Sequence, residues 1–201
     1  MSWIVIALIV LLAAFGPVMW LRPSARDKRL TALRARAREL GLNVDVRPLE
    51  QLNPSAAQRV SAGGAKRDTT VLLAVYESFL ERRLRHIEPF RIFRAPAGNE
   101  APMTRAAVEV APGWVFDPDA AYPASQHWLA TLAVLAPALE ELPGDVAALA
   151  LGPRSLAVYW RETAGSSVET VDDLARLLGR IGAAIGQLDT TFAPASGDDV
   201  P

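Results

Sequence analysis

The residues of this sequence that could carry out chemistry are few and widely spaced. There are two histidines and no cysteine, which excludes a thiolate metal site, a disulfide and a cysteine nucleophile. His86 lies among Arg82, Arg83 and Arg85, and this clustering predicts a solvated basic surface. His127 stands at a predicted helix start, where a surface or capping role is more common than general-base chemistry.

Two motifs resemble ligand sites only superficially. Residues 63–69 read Gly-Gly-Ala-Lys-Arg-Asp-Thr, without the spacing that a phosphate loop needs, and they predict a flexible turn. Asp117 and Asp119 flank a proline, which is more typical of a turn than of a hard-cation site. We therefore expect no catalytic residue, no cofactor and no metal ion.

Gly179, Gly182 and Gly186 repeat at a spacing that lets helices approach closely. The same predicted helix carries four charged residues between positions 172 and 180, so it cannot span a bilayer. The glycines instead predict close packing of this helix on a sheet.

An apolar run precedes all of these residues in the sequence. Residues 3–21 form a run of nineteen residues without a charge, and as a helix they would extend about 28 Å, close to the thickness of a bilayer core. Trp3 and Trp20 stand at its two ends, where indoles favour the membrane interface, and Pro17 predicts a bend. No Lys or Arg precedes the run, which argues against a cleaved signal peptide. Residues 1–21 are therefore predicted to be a transmembrane anchor, with the lipid bilayer as a partner.

A basic segment follows this run. Its basic members are Arg22, Arg26, Lys28, Arg29, Arg34, Arg36 and Arg38. The positive-inside rule then predicts a bacterial single-pass inner-membrane protein with its N-terminus outside and its domain in the cytoplasm. Residues 22–39 carry a net charge of +5 and residues 106–201 one of −9.

This asymmetry predicts that the basic residues contact anionic lipid headgroups. The alternative is that these arginines pair with carboxylates of the domain itself. No aromatic residues interleave with them, so no nucleic acid is expected as a partner.

Three helices are predicted after the apolar run. Ser24 caps a basic juxtamembrane helix within residues 22–41, whose leucine stripe is expected to pack on the domain. Ser125 caps a second helix to about residue 142, which Pro137 is expected to kink or end early. The third runs from about residue 168 to 188.

Strands are predicted wherever apolar residues alternate with polar ones or form short runs. They cover residues 42–47, 71–76, 90–94, 106–110, 113–116, 146–151 and 155–161. Pro48 is expected to end the first strand, and the last two are predicted to form a hairpin. Residues 71–87 also fit a helix, and this alternative stays open.

The fold class predicted from this order is α+β. An N-terminal transmembrane helix precedes a small antiparallel sheet with helices packed on one face. Residues 42–190 are the predicted cytoplasmic domain, and residues 191–201 a disordered acidic tail.

Leu21-Arg22-Pro23, followed by Lys28-Arg29, resembles the membrane exit of the YajC family of preprotein-translocase accessory subunits. The resemblance covers about the first 40 residues and implies an anchor before a small cytoplasmic domain. The family's Gly-Asp-Glu-Val-Val segment has no counterpart in this sequence. The whole pattern also resembles uncharacterised bacterial single-pass inner-membrane proteins.

These observations favour a membrane-tethered, non-enzymatic interaction or scaffold protein that binds another protein. The alternative is an accessory subunit of a protein-translocation or envelope-assembly complex, and a membrane-associated enzyme comes third. A deep pocket with convergent polar groups would favour the enzyme, whereas an exposed apolar patch would favour the scaffold.

Overall fold

The computed structural model describes residues 24–52, 69–95, 107–123 and 125–193, together with Trp3, Ile6, Pro54 and Gly64. The helices are α1 (Ala25–Glu39), α2 (Gln126–Glu141) and α3 (Val168–Thr191). The strands are β1 (Asn43–Glu50), β2 (Thr70–Phe79), β3 (Phe90–Arg94), β4 (Glu109–Ala111), β5 (Trp114–Phe116), β6 (Val146–Leu151) and β7 (Ser155–Trp160).

The strands form one seven-stranded antiparallel sheet in the order β1-β2-β7-β6-β3-β5-β4. The β6–β7 hairpin, predicted from its central turn, is inserted between β2 and β3. Every residue of these two strands is buried or half-buried, which is typical of strands at the centre of a sheet.

The three helices pack on one face of the sheet. Each contributes to the main core, with Leu33 from α1, Leu135 from α2 and Ile185 from α3 all fully buried. The apolar stripe predicted for the basic helix thus packs on the domain, as expected. A second cluster of buried side chains, including Val75 and Phe93, lies on the opposite face.

The N-terminal part of the predicted fold class is corrected. In the portion of the chain that the structure describes, no helix is long and apolar enough to cross a membrane. The longest, α3, carries Asp172, Asp173, Arg176 and Arg180 along its length, and burying such charges in hydrocarbon is costly. Over residues 24–193, as far as they are described, the fold is a seven-stranded antiparallel sheet with three helices.

The single-pass placement in the inner membrane, and the cytoplasmic orientation inferred from it, are therefore not supported. Of the predicted anchor, residues 1–21, Trp3 and Ile6 are described and both are exposed. Its other residues, including Pro17 and Trp20, lie outside the described residues, as does most of the predicted tail.

The prediction that Pro48 ends the first strand is wrong. β1 continues through Pro48 to Glu50 because it lies at the edge of the sheet, where a proline nitrogen can face away from the ladder. The neighbouring outward N–H, that of Val46, donates to Asp45 Oδ1 at 2.7 Å. Proline and a captured N–H both protect an edge strand from pairing with another chain.

The structure answers two questions that the sequence left open: whether residues 71–87 form a strand or a helix, and whether α2 ends early at Pro137. Residues 70–79 are a strand, β2, which pairs with β1 and β7 on its two sides. α2 does not end early, because it continues through Pro137 to Glu141. The remaining helix and strand positions agree with the predicted ones to within a few residues.

Candidate functional site

Several of the predicted basic site residues have partners within the chain. Arg34 donates to both carboxylate oxygens of Glu162, at 3.2 and 2.8 Å, and Tyr76 donates its hydroxyl to the same carboxylate at 2.9 Å. This hydrogen bonding raises the pKa of Arg34. Arg36 pairs with Asp172 at 2.7 Å and with Glu39. These contacts attach α1 to the end of β7 and to the first turns of α3.

The remaining members of that basic segment differ in their surroundings. Arg29 donates to the carbonyl of Ala164 at 3.3 Å, whereas Arg26, Lys28 and Arg38 are exposed. Arg22 lies outside the described residues. Contact of these side chains with anionic lipid headgroups stays a prediction.

His127 and the two aspartates singled out by the sequence have structural partners. The His127 ring stacks on Phe192 with a centroid separation of 3.9 Å. Asp117 accepts two hydrogen bonds from Arg91 at 3.0 and 2.7 Å, and one from the N–H of Asp119. Among the described residues there is no group of three or more potential metal ligands.

The most distinctive surface feature is the connection between β2 and β3, residues 80–89, which we call the arginine loop. Its anchor is the carboxylate of Asp189 in α3, which accepts from the backbone N–H groups of Arg85, His86 and Ile87 at 2.7–3.1 Å. Asp189 is 4% exposed. Burial raises its pKa, but the three backbone hydrogen bonds outweigh burial, so the pKa of Asp189 lies below its usual value.

Further contacts fix the same loop to the β6–β7 hairpin. The N–H groups of Leu80 and Leu84 donate to the carbonyls of Arg154 and Pro153, each at 2.8 Å. The side chains of Leu84 and Ile87 are buried in the main core. Five backbone donors and two apolar side chains therefore hold a loop of only ten residues in one conformation.

Four arginines lie on this fixed structure: Arg82, Arg83 and Arg85 on the loop and Arg154 in the hairpin turn. All four are exposed. None of their side chains makes a hydrogen bond or ion pair with another residue in the described ranges. The clustering of the first three in the sequence predicts a solvated basic surface, but no residue pattern indicates that Asp189 supports their loop.

Beside the loop lies an open groove of about 400 Å³, which we call the α3 groove. Phe79, Glu81 and Arg82 line it on one side, and Gly179, Gly182, Ala183 and Gly186 of α3 form its floor. Phe79 is 64% exposed, which is unusual for a large aromatic side chain.

The glycines of α3 do not all have the predicted role. A Cβ atom on Gly182 would lie 3.0 Å from Leu80 Cδ2, whereas Cβ atoms on Gly179 and Gly186 would meet nothing within 4 Å. Close packing occurs at Gly182 only among these three, and it is against the arginine loop rather than the sheet. The other two leave the floor of the groove open.

Comparison with known proteins adds little to this picture. No family model and no curated protein matches the sequence. A solved structure that is similar to the chain is that of the mycobacterial trehalose monomycolate transport factor A, TtfA. The two share 11% sequence identity over 77% of this chain and 93% of that chain, with a TM-score of 0.40.

With a TM-score of 0.40, this similarity carries no argument about function. The expected relationship to the YajC family stays a prediction.

Proposed function

We propose that this chain is a non-enzymatic interaction protein that binds a partner protein at the α3 groove and the adjoining arginine loop. The observation that supports the proposal is the arginine loop: a short surface loop, held by a buried carboxylate, that exposes arginines without internal partners beside an exposed Phe79.

The residue types suit an interface. Arginine and aromatic residues are enriched in protein interfaces and among the residues that contribute most to binding. Because the loop is already fixed by five backbone hydrogen bonds, little conformational entropy remains to be lost when a partner binds. A loop that served only to connect β2 and β3 would not need its cations kept free of the chain's own carboxylates.

The edges of the sheet are poorly suited to an alternative mode, the addition of a strand from a partner. β1 has Pro48 and a captured Val46 N–H at its edge. At the other edge, β4 has three residues and an irregular register with β5. Both features protect edges, so side-chain docking at the groove is the favoured mode.

The proposal is tested by photo-crosslinking the full chain in the cells that produce it. Phe79 is replaced with a photoreactive phenylalanine analogue, and the matched control carries the same analogue at Leu129 of α2, which is also 64% exposed. We expect a discrete protein adduct from position 79 that is absent from position 129. The adduct should disappear when Arg82→Glu and Arg83→Glu are added. Identical adducts from both positions, or none from position 79, would contradict the proposal.

A further inference from the structure

The outward side of α2 is apolar, whereas the exposed side of a surface helix is normally charged or polar. We infer that two copies of this chain associate through this side, with their α2 helices packed antiparallel about a twofold axis at Ala133. Three properties of the helix lead to this inference: the composition of its exposed side, the position of its charges and the small size of its central residue.

α2 contains no acidic residue, lysine or arginine between Gln126 and Leu139. One side of the helix is buried in the main core, through Trp128, Leu135 and Leu139. The opposite side is exposed and consists of Gln126, Leu129, Ala133, Pro137 and Glu140. Leu129 alone is 64% exposed. Helices that are apolar on all sides are typically covered on all sides, so the exposed side of α2 has the composition of a contact surface.

The charges of α2 lie at one end only. Glu140 and Glu141 stand in its last turn, and its first turn has no acidic residue, which is the reverse of the arrangement that the helix dipole favours. Glu141 pairs with Arg180, whereas Glu140 is exposed and has no ion pair among the described residues. An antiparallel second helix brings Glu140 of each copy beside Gln126, in the positively polarised first turn of the other.

The same charges select the antiparallel direction. In a parallel pair the two Glu140 carboxylates would lie side by side and repel each other. In the antiparallel pair they lie about 21 Å apart, given a rise of 1.5 Å per residue, and this exceeds the Debye length of about 8 Å at physiological salt. Repulsion between the two copies is therefore screened only in the antiparallel arrangement.

Ala133 stands at the middle of the exposed side, seven residues from both Gln126 and Glu140. A small residue at the crossing point lets two helices approach to the short end of the usual range of about 8–10 Å between axes. With the axis at Ala133, Leu129 of each copy meets Pro137 of the other. The same patch then serves both copies, as in twofold homodimers generally.

Two other occupants fit this side of α2 less well. Helices that lie in a membrane interface carry lysine or arginine on their polar side, whereas α2 has neither and ends in two glutamates, so a bilayer surface is disfavoured. A different protein can cover an apolar surface. However, it gives no reason for the acidic end and the uncharged end of α2 to lie at equal distances from a central alanine.

The test exploits the absence of cysteine from the chain, because a single introduced thiol in the purified protein forms a disulfide only with another copy. The full chain is kept in solution with a non-ionic detergent and oxidised. We expect Ala133→Cys to give a disulfide-linked dimer on a non-reducing gel, since a disulfide needs Cα atoms about 4.4–6.8 Å apart. Gln126→Cys should give none, because its two thiols would lie about 21 Å apart. The matched control, Ala35→Cys at an exposed position of α1, should also give none.

A charge exchange tests the same axis without a crosslink. Ala133→Glu and Ala133→Lys each place two like charges at the axis, and each should raise the dissociation constant of the dimer at least tenfold, equivalent to about 1.4 kcal/mol. An equimolar mixture of the two variants should associate again, because opposite charges then face each other. Analytical ultracentrifugation measures the association, and thermal unfolding followed by circular dichroism establishes that each variant is folded.

Several results would overturn the inference. A disulfide from Gln126→Cys as well as from Ala133→Cys would mean a parallel pair, and none from Ala133→Cys, or as much from Ala35→Cys, would exclude α2 as the interface. A mixture of the charge variants that stays monomeric would also exclude it. If the unchanged chain is monomeric and binds phosphatidylcholine vesicles in a manner that Ala133→Glu abolishes, the occupant is a bilayer surface.

The inference and the proposed function fail separately. In the photo-crosslinking experiment, the analogue at Leu129 should form an adduct of twice the mass of the chain, whatever adduct forms at Phe79. An adduct of any other mass from Leu129 would favour a different protein on α2 and overturn the inference alone. Loss of the adduct from Phe79, with the dimer adduct from Leu129 retained, would contradict the proposed function alone.

Discussion

Two arginine-rich regions of this molecule look alike in sequence and differ in structure. In α1, Arg34 and Arg36 are paired with carboxylates of the same chain. In the arginine loop, Arg82, Arg83 and Arg85 are exposed and have no side-chain partner among the described residues. The carboxylate supporting that loop, Asp189, accepts from its backbone instead.

The difference separates two uses of the same side chain. In α1 the arginines connect elements, since Glu162 lies just after β7 and Asp172 lies on α3. In the loop the backbone is fixed, and the guanidinium groups have no partner among the described residues. The presence of an acidic side chain within reach of each guanidinium group, and not the density of arginine in the sequence, distinguishes the structural cluster from the candidate binding cluster.

The largest loss of stability is expected from removing the Asp189 carboxylate, which supports the arginine loop. Asp189→Ala leaves three backbone N–H groups without their acceptor, and we expect it to lower the free energy of unfolding by about 3 kcal/mol. Asp189→Asn keeps an acceptor oxygen and should cost less. Urea unfolding of the three proteins measures both differences. Equal stability of Asp189→Ala and the unchanged protein would mean that the loop is not fixed as described.

The second largest change in stability is expected when one arginine of α1 is substituted, and the same substitution in the arginine loop provides the comparison. Arg34→Gln breaks a pair with a nearly buried carboxylate, whose side chain is 8% exposed, and should cost about 2 kcal/mol. The matched change Arg83→Gln removes no internal contact and should alter stability by less than about 0.5 kcal/mol. The same unfolding experiment compares them. A similar loss for both substitutions would remove the distinction between the regions.

Lowering the pH is expected to reduce the free energy of unfolding by less than the Asp189→Ala substitution does. The pKa of Asp189 and that of Glu77 both lie below their usual values, since hydrogen bonds to each carboxylate outweigh the effect of burial. Stability from such groups is present above their unfolded pKa of about 4 and is lost as the pH falls through the folded pKa. The free energy of unfolding should therefore decrease below about pH 4, and less steeply in Asp189→Asn. An unchanged pH profile in this variant would contradict the assignment.

The smallest expected changes in stability come from glycine-to-alanine substitutions on the floor of the groove, and they test whether that floor is open. Gly179→Ala and Gly186→Ala should each stabilise the chain by about 0.5–1 kcal/mol, because alanine is the better helix former. Gly182→Ala should gain less, since its Cβ would lie 3.0 Å from Leu80 Cδ2. Thermal unfolding of the three variants gives the ranking. Equal gains at all three positions would show that Leu80 moves aside freely and that Gly182 is not a packing contact.

Much of the local structure could be predicted because its causes are local. Ser24, Ser125 and Ser167 each accept from a backbone N–H in the first turn of their helix, and such caps are visible as residue types. The hairpin of β6 and β7 was equally visible. Its position between β2 and β3 was not, because strand order depends on which apolar faces meet after the chain has turned back on itself.

The sequence alone determined the helices, most strands, the lack of cysteine chemistry and the existence of two arginine-rich stretches, since each follows from composition or from contacts a few residues apart. Which arginines are paired was decided only by the tertiary structure. Arg34 and Glu162 are 128 residues apart and Arg36 and Asp172 are 136 apart, while the loop at Arg85 meets Asp189 across 104 residues. An ion pair needs its two charges within about 4 Å, and no spacing along the chain specifies that distance.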